Sequence, residues 1–118
     1  MASGEDEPPF CYLTTTGRVS ARPHRIEIWF ATAGGRVYLL SGGRDHADWV
    51  RNLVVSPDVT LELGDRVGAA RARVVEEGTE EDALARRSIL EKYRPGYGGD
   101  LTSWGRTSLA VAVEWVGT

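Results

Sequence analysis

The sequence predicts a mainly-β domain of the α+β class, a six-stranded antiparallel barrel carrying two helices. Short runs of alternating apolar and polar residues recur along the chain, separated by glycine-bearing turns such as Ala33-Gly34-Gly35-Arg36 and Gly64-Asp65. Only two stretches carry helical spacing with helix start and stop signals. A length of 118 residues suits one domain, since domains commonly run to roughly 100–150 residues. Strands joined by short turns or single helices escape exposed sheet edges by curling into a barrel.

Met1 to Pro9 is acidic, small and proline-rich, and is predicted to form a flexible tail ahead of a single domain over 10–118. FCYLTTT is the first strand, on its β-branched and aromatic content, and HRIEIWFAT is the second, on its period of two. A turn over Gly17 to Ala21 pairs them as a hairpin. RVYLLS follows the glycine turn as the third strand. In SGGRDHADWVRNLVVSPDV, Asp45 is placed to cap a helix. Trp49 with Leu53 and Val50 with Val54 stack at i,i+4, and Pro57 stops the run. VTLEL and RVGAARARVVE form a second hairpin, with Val59, Leu61 and Leu63 on one face. Thr79 and Asp82 start the longer helix, whose Ala83, Leu90 and Tyr93 share a face, and Pro95 ends it. A glycine-rich loop from Gly96 to Arg106 leads to the last strand, SLAVAVEWV, with Leu109, Val111, Val113 and Trp115 on one side.

Bulk chemistry removes several function classes. A net charge of −3 and a pI near 5.4 argue against a nucleic-acid binder, which carries a basic footprint. One cysteine, Cys11, allows no internal disulfide, and no long apolar run suggests export or membrane spanning, so a cytoplasmic location is expected. His24, His46 and Cys11 are too scattered for a zinc pattern, and no dinucleotide or P-loop glycine motif is present. No nucleophile stands beside a base in a way that declares a triad.

The stretch TTTGRVSARPHR carries the densest cluster of candidate ligand groups. If Thr16 faces Arg22, then Phe10, Tyr12, Thr14, Arg22, His24, Ile26, Ile28 and Phe30 share one face, apolar at one end and basic at the other. Such a wall suits a flat ring with an anionic tail, and Arg18 in the turn reaches over its mouth. A solvated hairpin tip fits the same residues. Ser41-Gly42-Gly43-Arg44 joins a strand to a helix, where glycines let a ring approach the main chain. Asp45 and Asp48 already complement that helix start, which disfavours a phosphate there.

Taken together, LTTTGRVSARPHRIEIWF, YLLSGG and ADWVRNLVVSPDVTLEL resemble the deazaflavin-dependent nitroreductase and quinone reductase family. These are small split β-barrels related to the flavin-binding pyridoxamine-phosphate oxidase group. The resemblance runs from about Tyr12 to Val75. It implies that Arg18, Val19, Ser20, His24 and Arg25 hold the phosphate and polyglutamate tail of an 8-hydroxy-5-deazaflavin, coenzyme F-420. Ile26 and Ile28 would run beside its rings, and Leu40, Ser41, Gly42, Gly43, Trp49 and Asn52 would complete the pocket. Val19 stands where members often have a second basic residue, and His24 where they have an arginine.

The implied activity is hydride transfer from the reduced cofactor to a quinone, nitro-aromatic or other activated acceptor, with no side chain needed as nucleophile. Tyr93, Tyr97 and Trp104 are candidates for a substrate wall or proton donor. FMN on the same barrel is the alternative cofactor, and a non-catalytic carrier of flavin, deazaflavin or haem is the alternative role. The expected partners are the small-molecule cofactor, a hydrophobic acceptor and, by the same resemblance, a second copy of the chain.

Overall fold

Seven antiparallel strands, not six, make one sheet in the computed structural model, which describes residues 7–117. The strands are β1 (Cys11–Thr16), β2 (Pro23–Ile28), β3 (Ala31–Ala33), β4 (Arg36–Ser41), β5 (Asp58–Leu63), β6 (Arg66–Val74) and β7 (Leu109–Trp115). Three helices accompany them: α1 (Asp48–Val55), α2 (Glu80–Tyr93) and α3 (Thr102–Thr107). The extra strand arises because HRIEIWFAT is broken at Trp29-Phe30, and the extra helix lies inside the predicted loop of 96–106.

That break is what curls the sheet. The strand order is β2-β1-β5-β6-β7-β4-β3, so the two edges belong to chain segments separated only by Trp29 and Phe30. A sheet whose opposite edges are covalent neighbours has to bend round on itself, and a half-closed barrel results. Phe30 is buried at the corner.

The barrel is filled from alternate positions. Leu13, Leu39, Leu61, Val111 and Val113 point inward, together with the predicted Val59 and Leu109. β4 and β7 are apolar on both faces because the second face lies beneath α2. Tyr38, Leu40, Ala110 and Ala112 meet Ala85 and Ile89 there. Alanines on β7 let the helix come close, and the helix turns Ala85 and Ile89 inward instead of the predicted Ala83, which is exposed. Thr79 caps α2 as expected, its hydroxyl accepting from the Asp82 N–H at 3.1 Å. Asp45 does not cap α1. It sits in a 3-10 turn over Arg44–His46, and Ala47 takes the cap position.

α1 closes one end of the barrel with Val50 and Leu53, both in the inner core. The packed domain also includes Glu7 to Pro9, three residues ahead of the Phe10 boundary. Lys92 Nζ donates to the Pro8 carbonyl and pairs with Glu7, both at 3.0 Å, while the Tyr93 hydroxyl donates to the Pro9 carbonyl at 2.7 Å. The rest of the predicted tail, residues 1–6, lies outside the described residues. No helix among the described residues is long and apolar enough to cross a membrane.

Candidate functional site

The first hairpin closes one residue later than predicted. Thr16 faces Pro23, not Arg22, so Leu13 faces Ile26 and Thr14 faces Arg25. A one-residue slip exchanges the faces of β1. Cys11, Leu13 and Thr15 therefore look into the barrel beside His24, Ile26 and Ile28, and Tyr12 and Thr14 look out. β2 keeps its predicted face. Proline at the closing pair is tolerated because β2 is a sheet edge, where a missing N–H costs no ladder bond.

The connecting loop is tightly bonded. Gly17 N–H donates to the Arg22 carbonyl at 2.8 Å, Ala21 N–H donates to the Gly17 carbonyl at 2.9 Å, and Arg22 N–H donates to Ser20 Oγ at 3.1 Å. Ala21 has φ 62°, a left-handed conformation that costs an alanine on the order of 1 kcal/mol. A Cβ on Gly17 would lie 2.7 Å from His24 Nε2 and 2.8 Å from Ser20 Oγ. Glycine is what lets the imidazole and the hydroxyl converge over the loop.

Asn52, 2% exposed, joins this loop to α1. Its Oδ1 accepts from the Arg18 peptide N–H at 3.2 Å and from Arg18 Nη1 at 2.8 Å, while its Nδ2 donates to Thr15 Oγ1 at 3.1 Å. Arg18 Nη2 donates to Asp48 Oδ1 at 3.2 Å. The guanidinium is thus held from below and one side, with three of its five N–H groups left over.

Two concavities meet at Arg18. A small one of about 230 Å³ is framed by Gly17, Arg18, Val19, Ser20 and His24 from the loop and by Asp48 and Asn52 from α1. A larger groove of about 720 Å³ runs along α1, with Arg18, Arg44, Arg51 and one carboxylate, Asp45, at its rim and Val50, Val54, Val55, Val74 and Leu109 along its wall. Arg44 is committed to the Thr107 carbonyl and Glu77, whereas Arg51 pairs with no carboxylate among the described residues. The volume lies within the range of roughly 300–1,000 Å³ typical of cofactor pockets, and apolar walls under a rim of three arginines and one aspartate suit a flat ring bearing an anionic tail.

Five of the residues singled out from the sequence, Arg18, Val19, Ser20, His24 and Asn52, come together in the small concavity. Val19 exposes 93% of its surface and offers only its backbone and methyls. Arg25 is separated from them: it lies on the outer face of β2, bonded to Glu62 at 2.8 and 2.9 Å and stacked over Tyr12. The Arg25 bond is also the main reason the Glu62 carboxyl is held below its usual range. Ile26, Ile28 and Trp49 are half-buried against the barrel core, and Leu40 is buried under α2. Ser41 is buried with its hydroxyl donating to the Arg44 carbonyl at 2.9 Å, Gly42 lies against Trp104, and Gly43 lies against Ala47.

Sequence reading missed Arg44, Arg51, Val54, Val55 and Val74. The available signal was the run Leu53-Val54-Val55, too apolar for the solvent side of a short amphipathic helix. Val54 and Val55 are indeed exposed.

An aromatic cluster stands on the other side of the glycine loop. Trp29 stacks on Tyr93 at 4.2 Å with an angle of 2°, and meets Tyr97 and Trp104 edge-on at 5.9 and 5.7 Å. A Cβ on Gly42 would lie 3.2 Å from Trp104 Nε1, so loop and cluster are in contact. Trp29, Lys92, Tyr93 and Tyr97 border a cleft of about 280 Å³. The Tyr93 hydroxyl accepts from the Phe30 N–H at 3.0 Å and donates to the Pro9 carbonyl; burial pushes it up to about 12.

The fold is a half-closed antiparallel barrel with a groove along α1 rimmed mostly by arginines. The chain belongs to the F420H(2)-dependent quinone reductase family, whose model matches residues 5–115. Among solved structures it is similar to an F420-H2 dependent reductase, FDR-A, at 23% identity and TM-score 0.73, over 90% of this chain and 94% of that one. It is also similar to HutZ, a heme storage protein from Vibrio cholerae, at 16% identity and TM-score 0.77, over 98% and 86%. A protein described as a domain-swapped dimer matches at 22% identity and TM-score 0.74, over 92% and 81%. At these identities the structural matches speak for the fold.

Proposed function

We propose that this chain is a reductase that binds coenzyme F-420 in the groove along α1 and reduces a quinone, nitro-aromatic or other activated acceptor. The observation that carries the reading is the Arg18 guanidinium, fixed by buried Asn52 at the point where the two concavities meet. A donor immobilised before the ligand arrives loses little freedom on binding. When bound, the reduced deazaflavin supplies a hydride, so the protein need provide no nucleophile.

Arg18, Ser20 and His24 would hold the anionic tail, with Arg51 as a second cation in the groove. Val54, Val55 and Val74 would exclude water from the flank of the ring system, whereas Gly42 and Gly43 lie against Trp104 and Ala47, outside the groove lining. Trp29, Tyr97 and Trp104 would form the wall for a flat acceptor. Tyr93 is a poor proton donor in this scheme, because its hydroxyl is already bonded to two peptide groups. A homodimer belongs to the same reading, supported by the domain-swapped dimer among the structural neighbours.

The test is a fluorescence titration of purified protein with oxidised coenzyme F-420 and, in parallel, FMN. The wild type should prefer the deazaflavin, and Arg18→Gln should weaken it about tenfold or more, since a charged hydrogen bond contributes roughly 1.5–3 kcal/mol. An unchanged dissociation constant in the variant would remove Arg18 from the site, and preference for FMN would replace the cofactor.

A further inference from the structure

We propose that Asp48 is an internal competitor for the ligand's anion: it occupies Arg18 in the free protein and lowers the affinity of the groove for an anionic tail. The inference rests on the reading of Arg18 as the tail-binding cation, and adds a residue that sets how tightly and how selectively it binds.

The two partners of the Arg18 guanidinium differ in how firmly they are held. Asn52 is buried and makes three bonds, two to Arg18 and one to Thr15, so it moves only with the hairpin. Asp48, one helical turn earlier on α1, has its side chain 84% exposed and touches Arg18 through a single 3.2 Å contact. An exposed pair of this kind is weak and is screened by salt. Asn52 therefore aims the guanidinium, and Asp48 covers the edge that an incoming oxyanion would use.

The placement makes the competition unavoidable. Asp48 and Arg18 frame the same 230 Å³ concavity, together with the Ser20 and His24 side chains. A phosphate or carboxylate entering there meets the Asp48 charge at close range, and must displace it from Arg18 and bear its repulsion. Arg51, in the adjoining groove that Asp45 also lines, forms no ion pair among the described residues. Asp48 does not line the larger groove, so a neutral ring lying there meets Arg18 but not the Asp48 carboxylate, and Asp48 discriminates against anionic tails and not against the ring system.

The test compares wild type, Asp48→Asn, Arg18→Gln and the double variant in titrations with oxidised coenzyme F-420, with the same deazaflavin lacking its phosphate-bearing tail, and with inorganic phosphate. Asp48→Asn should bind the complete cofactor about three- to tenfold more tightly, with the gain shrinking as salt is added. It should bind the tail-less deazaflavin as wild type does, bind inorganic phosphate more tightly, and lose its gain in the Arg18→Gln background. Asp48→Ser, which also removes the charge, at an exposed position that makes no capping bond, is the second variant should the amide fail to fold. Unchanged or weaker cofactor binding by Asp48→Asn, with Arg18→Gln still impaired, overturns the competitor role and leaves Arg18 as the tail-binding cation. Undiminished binding by Arg18→Gln overturns both.

Discussion

Asn52 accepts two hydrogen bonds from Arg18 through one oxygen, at 3.2 Å from the peptide N–H and 2.8 Å from the guanidinium. This residue fastens the first hairpin to α1 and sets the direction of the Arg18 guanidinium where the two concavities meet. Asn52→Ala strands the Thr15 hydroxyl, which is buried, and releases the loop. The expected loss is about 1–3 kcal/mol of stability, read from the urea midpoint, together with weaker cofactor binding. Loss of binding with the midpoint unchanged would mean that Asn52 touches the ligand directly and does not act through Arg18.

Much of the fold could be read from local pattern. The strand RVYLLS, the cap at Thr79 and the inward set Leu109, Val111 and Val113 all follow from spacing within single segments. What failed was settled between segments. The hairpin register depends on how six residues from Gly17 to Arg22 fold back, with Ala21 in a left-handed conformation that its identity does not advertise. The slip moved Tyr12 and Thr14 to the outside, the side on which Arg25 bonds Glu62, thirty-seven residues away. The face of α2 was misjudged for a similar reason. Ala85 and Ile89 are buried because they pack on Tyr38, Leu40, Ala110 and Ala112 of the sheet, a surface that periodicity within α2 does not contain, and the Asp82 carboxylate on the same side is held by Arg86 at 3.0 Å. The candidate site was half legible: TTTGRVS announced a cluster of ligand groups, but the wall supplied by Val54, Val55 and Val74 needed the barrel to bring it there.

Glu81 should make stability fall in acid. Two bonds from Arg73, at 2.9 and 2.8 Å, and one from the Tyr38 hydroxyl at 2.8 Å act on its carboxylate. The bond to Arg73 is the largest cause of its fall from the ordinary 4.5 to about 2. A depressed acid contributes its stability in full above the unfolded value and loses it as pH drops toward the folded one, here between about 4.5 and 2. Discounted for partial exposure, the contribution is about 1–2 kcal/mol. Urea unfolding at pH 7 and pH 3 should give a smaller difference for Glu81→Gln than for the wild type. Equal differences would count against the network.

Cys11 is 1% exposed, and burial pushes its thiol up to about 12. A thiol that is neither charged nor reachable does not alkylate. Native protein at pH 8 should resist iodoacetamide, and modification should follow the global unfolding transition in urea, as the sole cysteine permits by mass spectrometry. Fast labelling without denaturant would mean that β1 opens away from β2.

Tyr93 provides the sharpest separation of structure from chemistry in the aromatic cluster. Its ring lies parallel to Trp29, and its hydroxyl bridges the Phe30 peptide and the Pro9 carbonyl. Tyr93→Phe keeps the stacked ring and removes the bridge, leaving the Phe30 N–H without its tyrosine acceptor. The expected result is a loss of about 1–2 kcal/mol in stability and faster proteolytic cleavage ahead of Phe10, because Pro9 loses one of its ties. Acceptor-dependent oxidation of the reduced cofactor should retain most of its rate at a temperature where the variant is folded. A hundredfold fall in kcat with stability intact would reverse the assignment, making the hydroxyl a proton donor and its two peptide bonds the means of aiming it.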